Sequence, residues 1–389
     1  MDPKISLCMI VKDEEDWLEQ CLKSVEPLVS EIIIVDTGST DRSLEIAKTF
    51  DAKIFFFKWN DDFSAARNYS LRQASGDWIF VLDADEAIAA SDLALLREKV
   101  KAKNVCYEFL QRHYTADHRL SDFKPCQGDY PDLERNYPGF FESNLCRLFP
   151  NHRGIEYRGR IHELVEQSIK EIPDLRIERL DVRIHHYGHT PEVKRKKTKA
   201  DLYSPLGESK TREQPDDWKA YFELGVEHNC NGRRKEAAEA FKKSLNLNPN
   251  YLDTWVNYGY VLCETSQYDE AIEALKRAIK IKADCDQAYC NLGVVFMRQG
   301  DFARAVDVFI RAININPQYV NAFCNLGISL ARLGRYAEAA NAYYRALEVM
   351  PQCVSAKADL GALYLVSGQL EEAEKFLISA SKDDPEQSG

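Results

Sequence analysis

The sequence predicts an α/β unit with a mostly parallel sheet, followed by an all-α superhelix of repeated helix pairs. Three observations carry this expectation. Strand-like and helix-like apolar patterns alternate up to about residue 190. The run Trp78-Ile79-Phe80-Val81-Leu82-Asp83-Ala84-Asp85-Glu86 ends a buried strand in three carboxylates. Gly225, Gly259, Gly293, Gly327 and Gly361 then recur every 34 residues without a gap.

In the first part, residues 5–11 read as a strand and 16–25 as an amphipathic helix. Strand 31–35 precedes helix 41–50, strand 52–57 precedes helix 63–74, and strand 78–82 follows. Such alternation places helices on both faces of a parallel sheet. Residues 104–190 are less regular and hold many aromatics and histidines. They read as remaining strands plus cleft-forming loops. At 389 residues the chain is too long for one ordinary core. The expected units are an α/β domain over 1–190, a linker and capping helix over 191–215, and five repeats over 216–389.

The apolar fraction of 45% and charged fraction of 29% are those of an ordinary globular protein. A formal net charge of −11 argues against nucleic acid or an anionic membrane as the main partner. The basic run Lys194-Arg195-Lys196-Lys197 reads as a solvated helix face. Residues 5–11 are too short an apolar run for a signal peptide, and no stretch approaches a membrane span. The 11 scattered cysteines lack a Cys-x-x-Cys pair and point to reduced thiols and the cytoplasm.

The repeats carry further regularities. Seven residues after each repeat glycine stands Gly232, Ser266, Gly300, Gly334 or Gly368, and twelve after it Ala237, Ala271, Ala305, Ala339 or Ala373. Phe241, Leu275, Phe309, Tyr343 and Leu377 recur in phase, as does proline at 249, 317, 351 and 385, with Ala283 the exception. The spacing resembles the tetratricopeptide repeat, in which small residues let paired helices approach and proline follows the second helix. A helix over 199–211 would cap the stack. Two residues before each glycine stand Glu223, Asn257, Asn291, Asn325 and Asp359. An asparagine offers both a donor and an acceptor to a peptide backbone. Asn257, Asn291 and Asn325 thus form a candidate acceptor-binding ladder, resembling that of O-GlcNAc transferase. The alternative is that they bond within their own repeat.

Asp83 and Asp85, spaced i and i+2 at a strand's C-terminal edge, are candidates to converge on one divalent cation. Asp36 ends the strand Ile32-Ile33-Ile34-Val35, where a carboxylate can accept from a base or ribose; its alternative role is to form the turn. Arg67 and Asn68 open a helix, where an arginine and the helix dipole favour an anion.

Met9-Ile-Val-Lys-Asp-Glu-Glu15, Val35-Asp-Thr-Gly-Ser-Thr-Asp41, Ala65-Ala-Arg-Asn68 and Leu82-Asp-Ala-Asp-Glu86 together resemble family 2 glycosyltransferases of the GT-A fold. More narrowly, the chain is similar to bacterial members with C-terminal tetratricopeptide repeats, among them S-glycosyltransferases of bacteriocin peptides. The resemblance implies inverting transfer from a nucleotide-diphosphate sugar, most often UDP-linked, with Mg²⁺ or Mn²⁺. By matching position, Asp13 or Glu14 and Asp36 would contact the nucleoside, Asp83 the ribose or metal, and Asp85 the metal. Arg67 and Asn68 would serve the donor diphosphate.

The reaction also needs a base. Glu163 is favoured, with Glu142 and Asp129 as other candidates; the competing reading pairs Glu163 with Arg158 or Arg160. A third metal ligand is sought in Ile184-His185-His186-Tyr187-Gly188-His189. His186 is favoured because its His-Tyr-Gly run resembles the family's closing motif. The Gln-x-x-Arg-Trp motif of processive members is absent, which argues for one or a few transfers to a soluble acceptor, expected to be a protein or peptide side chain recruited by the repeats. The alternatives are a scaffold with an inactive transferase domain, or a glycan or lipid-linked acceptor with repeats that dimerise.

Overall fold

The computed structural model describes residues 2–117, 120, 122–134, 137–161, 163–188 and 200–383. The expected linker over 190–195, the basic run over 194–197, His162, His189 and Pro385 lie outside the described residues. The chain divides into two compact units, residues 1–116 with 126–198 and residues 117–125 with 199–389.

In the first unit, β1 (Ile5–Val11) runs parallel to β2 (Glu31–Asp36) and to β4 (Trp78–Val81), and β2 runs parallel to β3 (Lys53–Phe56). Helices α1 (Leu18–Val25), α2 (Ser43–Thr49) and α3 (Phe63–Gln73) connect them. Strands β1, β2 and β4 are mostly apolar because both faces are covered, while β3 has no buried residue. Leu7 and Met9 join a core with Leu18, Leu22 and Val25 of α1, while the intervening Cys8 joins Ile33, Ile79, Val81 and Phe149 on the other face. Asp62 caps α3 by accepting from the Ala65 N–H at 2.9 Å.

The irregular region of the sequence holds three long strands, β6 (Val105–Thr115), β8 (Gly139–Pro150) and β9 (Arg176–His186). The two-residue β7 (Lys124–Pro125) falls in the segment grouped with the second unit. Strand order is β3-β2-β1-β4-β8-β6-β9-β5, where β5 is Glu86–Ile88. Strand β8 is antiparallel to β4 and β6, β6 is parallel to β9, and β5 is antiparallel to β9. The register Glu86↔His186 sets the acidic turn beside the last strand, and His113↔His186 places a second histidine next to it.

In the second unit, helix Ala200–Glu213 precedes five helix pairs among the described residues, from Trp218–Cys230 with Arg234–Leu247 to Val354–Val366 with Leu370–Asp383. A Cβ added at each repeat glycine would come within 2.5–2.7 Å of Phe241, Leu275, Phe309, Tyr343 or Leu377. The two periodic positions of the sequence therefore face each other. The turn glycines at 232, 300, 334 and 368 have φ between +74° and +79°, and Ser266 holds the same conformation at +62°. Asn248, Asn316 and Met350 leave their helices in extended conformation just before proline. No helix of the described residues is long and apolar enough to cross a membrane.

Candidate active site

The candidate site gathers at the C-terminal ends of β1, β2 and β4 and around the turn from β4 to β5. The loops after β1 and β2 are tied to each other by reciprocal hydrogen bonds. Thr40 N–H donates to Asp13 Oδ1 at 2.7 Å, and Asp13 N–H donates to Ser39 Oγ at 3.1 Å. Glu14 N–H donates to Ser43 Oγ at 2.7 Å, and Glu15 N–H to Asp41 Oδ2 at 2.9 Å. Asp36 is buried and accepts the Gly38 and Ser39 N–H groups at 3.0 and 3.1 Å, so it does form the turn. Its carboxylate is thereby pinned at the strand's end.

Asp83 and Asp85 sit in a turn, since β4 ends at Val81, and their side chains meet different partners. Asp83 Oδ1 accepts from Arg67 Nη2 at 2.7 Å, and Oδ2 from Arg147 Nη2 at 3.0 Å. Burial opposes its charge, but the two guanidinium groups prevail and hold its carboxyl well below the usual range. Arg67 also donates through Nε to Glu163 Oε1 at 2.6 Å, and Arg147 to Glu86 Oε1 at 3.0 Å. Glu86 Oε2 accepts the Asp83 N–H at 2.7 Å. Burial pushes Glu86 up to about 8, against the pull of Arg147. Arg67 Nη1, Arg147 Nε and the Tyr157 hydroxyl are buried with no hydrogen-bond partner among the described residues. Arg67 also stacks over the Tyr157 ring, 5.4 Å from its centroid.

Asp85 instead meets His186, whose Nε2 lies 3.6 Å from Asp85 Oδ1. His185 points the other way: it is fully buried, takes a 2.6 Å hydrogen bond with the Tyr114 hydroxyl, and burial pushes its imidazole down to about 3. Of the two histidines, His186 is the one that faces the acidic turn. Among the described residues no group of three or more His, Cys, Asp or Glu is arranged to hold a metal. Asp83 and Asp85 thus have separate partners: both oxygens of Asp83 are held by arginines, and Asp85 lies beside His186.

The other candidate residues find partners within the protein. Asn68 accepts from the Tyr157 N–H at 2.7 Å and donates to the Tyr157 carbonyl at 2.8 Å, so both ends of its amide clamp that segment. Glu163 pairs with Arg67, while Arg158 is taken by Glu156 and Glu171. Asp129 and Glu142 both lie against Arg112, at 3.4 and 3.5 Å. In the repeats, Asn257 donates to the Asp253 carbonyl at 2.8 Å and Asn325 to Asn321 Oδ1 at 3.4 Å, the within-repeat bonding weighed for these positions.

Sequence reasoning missed Arg147, Tyr157, His113, Gln111 and Ser143. One signal was available: Arg147 interrupts the apolar run Leu145-Cys146-Arg147-Leu148-Phe149, and a charge in a central strand needs partners.

Residues 6–152 match the model described as glycosyl transferase family 2. Tetratricopeptide repeat models match 219–251, 240–273, 284–352 and 330–388, and a TPR repeat model matches 259–300. A TPR repeat-containing protein of Synechococcus elongatus is 33% identical over 62% of this chain and 56% of its own length. The SPbeta prophage-derived glycosyltransferase SunS of Bacillus subtilis is 28% identical over 63% of this chain and 54% of its own. The chain thus spans little more than half the length of these curated relatives. The crystal structure of MamA aligns with a TM-score of 0.39 at 26% identity, over 42% of this chain and 96% of that one. The chain carries an N-terminal glycosyl transferase family 2 domain followed by tetratricopeptide repeats.

Proposed function

We propose that this chain transfers a sugar from a nucleotide-diphosphate sugar, UDP-linked by its family resemblance, to a side chain of a protein or peptide recruited by the repeats. The observation that carries the reading is the set of buried donors on Arg67, Arg147 and Tyr157 that no described protein atom accepts. A buried polar group without a partner calls for a ligand or water, and two guanidinium groups select an anion such as a diphosphate. Asp36, with Asp13 or Glu14 beside it, takes the nucleoside. Asp83 holds the two arginines in place for the diphosphate.

The family implies Mg²⁺ or Mn²⁺, and Asp85 with His186 fits such an ion. A Cβ at Gly188 would come within 2.6 Å of His186 Nε2 and 2.8 Å of Asp85 Oδ2, so only glycine leaves that space open. Two protein ligands suit a cation whose other ligands are phosphate oxygens and water. Such an ion, when bound, neutralises charge on the departing diphosphate.

Glu163, oriented by Arg67, is the base. It takes the proton of the acceptor atom as that atom bonds to the anomeric carbon from the face opposite the donor. The bond from that carbon to the diphosphate breaks, and its electron pair leaves with the nucleotide, which inverts the centre. On the repeats, Asn257 and Asn325 would exchange their local hydrogen bonds for the backbone of an extended acceptor, and Asn291 would join them.

Thermal unfolding in the presence of UDP, GDP or dTDP, with and without Mn²⁺, tests the donor half of this reading. A ligand that binds only the folded state raises the midpoint by mass action. A metal-dependent rise with one nucleotide, lost in Asp85→Ala, is expected. No rise with any of them would favour a scaffold without transferase activity.

A further inference from the structure

We infer that the second repeat carries a pocket for the arginine side chain of a peptide, built from two aromatic rings and three carboxylates. The pocket gives a chemistry to the peptide that the repeats would recruit, and in that part it rests on the function proposed above.

Helices Leu252–Glu264 and Tyr268–Ile281 of this repeat line a cavity of about 400 Å³. Ligand pockets span about 300–1,000 Å³. The first helix contributes Trp255 and Tyr258, one turn apart, with ring centroids separated by 6.5 Å. Both are half-buried, and the Trp255 Nε1–H donates to the Pro249 carbonyl at 2.8 Å, which fixes the indole. The second helix contributes Asp269, Glu270, Glu273 and Arg277, all exposed. Glu273 also pairs with Lys276 at 3.0 Å, a contact between exposed groups that water screens. Burial, then nearby Glu270, pushes the Tyr258 phenol up, so the field of that carboxylate reaches the ring.

The other repeats lack this lining. At the position of Tyr258 they place Leu224, Leu292, Leu326 and Leu360. Each also loses a carboxylate: Lys235 stands for Asp269 in the first repeat, Arg304 for Glu270 in the third, and Asn341 and Lys375 for Glu273 in the fourth and fifth. Asp269 and Glu270 lie in the first turn of their helix, where its dipole favours acids. The dipole gives no reason for Glu273, nor for a phenol in place of leucine. Three carboxylates against one guanidinium leave the lining negative, and an aromatic face attracts a cation. Arginine suits both parts, because its planar guanidinium stacks on a ring while its edge donates to carboxylates.

Fluorescence anisotropy of the full chain with a labelled glycine–serine peptide carrying three arginines tests the pocket. The same peptide with citrulline keeps the shape of arginine without its charge, and should bind about tenfold more weakly. Tyr258→Leu installs the residue of the other repeats and should weaken the arginine peptide about 3–10-fold, while Tyr258→Phe keeps the ring and should keep the affinity. Asp269→Ala combined with Glu270→Gln should cost about tenfold. Glu371→Ala combined with Glu372→Gln makes the same charge change in the fifth repeat and should leave binding unchanged. Melting followed by circular dichroism checks that each variant keeps its fold. Equal binding of the two peptides, or full binding by Tyr258→Leu, would overturn the inference. Equal losses from the two acidic pairs would also overturn it, as general attraction to an acidic chain. If the arginine peptide binds through the pocket but no nucleotide raises the melting midpoint, the transferase reading falls and the pocket stands. If a nucleotide raises it while the second-repeat variants bind the peptide normally, the pocket falls and the transferase reading stands.

Discussion

In the repeat unit, a buried position holds a glycine beneath a large side chain, and the arrangement recurs in all five repeats. In the first unit, buried Arg147 lies between Asp83 and Glu86 and buried Arg67 between Asp83 and Glu163, each arginine with its own set of partners. The repeats solve one steric problem many times, so each solution supports the next and none is indispensable. The site unit keeps charges inside a sheet, where each ion depends on a particular partner. Stability in the repeats therefore comes from shape, while in the site it depends on complete pairing.

Substitutions can break this contrast, and the largest effect is expected at the base. Glu163→Gln should lower kcat about 10²–10⁴-fold while leaving the melting midpoint within a few degrees. Loss of both activity and fold would make Glu163 a structural counter-ion of Arg67 instead. Arg147→Met should follow, because it leaves Asp83 and Glu86 buried without their shared cation. A cost of about 3–5 kcal/mol in chemical denaturation is expected. A neutral result would mean that water already enters the site and screens it.

Asp359 tests whether a charge in the repeats behaves like one in the site. It occupies the asparagine position of its repeat, and burial, followed by nearby Cys353, pushes its carboxyl up to about 6. The unfolded value is about 3.9, so between roughly pH 4 and 6 the folded state holds more protons. Stability should then fall as pH rises through that window. Asp359→Asn should remove the slope and gain about 1 kcal/mol at pH 7, after allowance for its partial exposure. An unchanged pH profile of unfolding would show that Asp359 ionises as in water.

The smallest effects come as a pair of opposite sign within neighbouring repeats. Gly293→Ala brings a Cβ to 2.5 Å from Phe309 and should cost about 1 kcal/mol, overpacking outweighing the better helix propensity of alanine. Ser266→Gly relieves a left-handed backbone at φ +62° and should gain about 0.5–1 kcal/mol. If both substitutions changed stability in the same direction, the division into a space-limited and a backbone-limited glycine would be wrong.

The same contrast explains what was legible in the sequence. Periodicity located every helix pair, and even named Phe241, Leu275, Phe309, Tyr343 and Leu377 before their glycine partners were seen. The parallel strands were legible because they are apolar on both faces. The long strands β6, β8 and β9 were not, because residues such as Glu108, Arg112 and Glu142 break both apolar runs and simple alternation. The motif residues Asp83, Asp85, Asp36, Arg67 and His186 could be listed. What could not be read was which of them meet, since that depends on register between strands far apart in sequence. Asp83 and Asp85 are the clearest case: their spacing suggested one cation, whereas Asp83 meets Arg67 and Arg147 and Asp85 lies beside His186.

The pairing of β5 with β9 has a consequence for how the molecule is made. The end of the site proposed for the nucleoside needs only β1, β2 and their loops, which leave the ribosome early. The arginine pair waits for β8, and Asp85 gains His186 only when the last strand of the sheet has been synthesised. With translation at roughly 5–20 residues per second, the nascent chain passes several seconds with half a site. A chain that stalls before β9 would hold the acidic turn without its histidine, and the proposed cation site would stay incomplete until the sheet itself is closed.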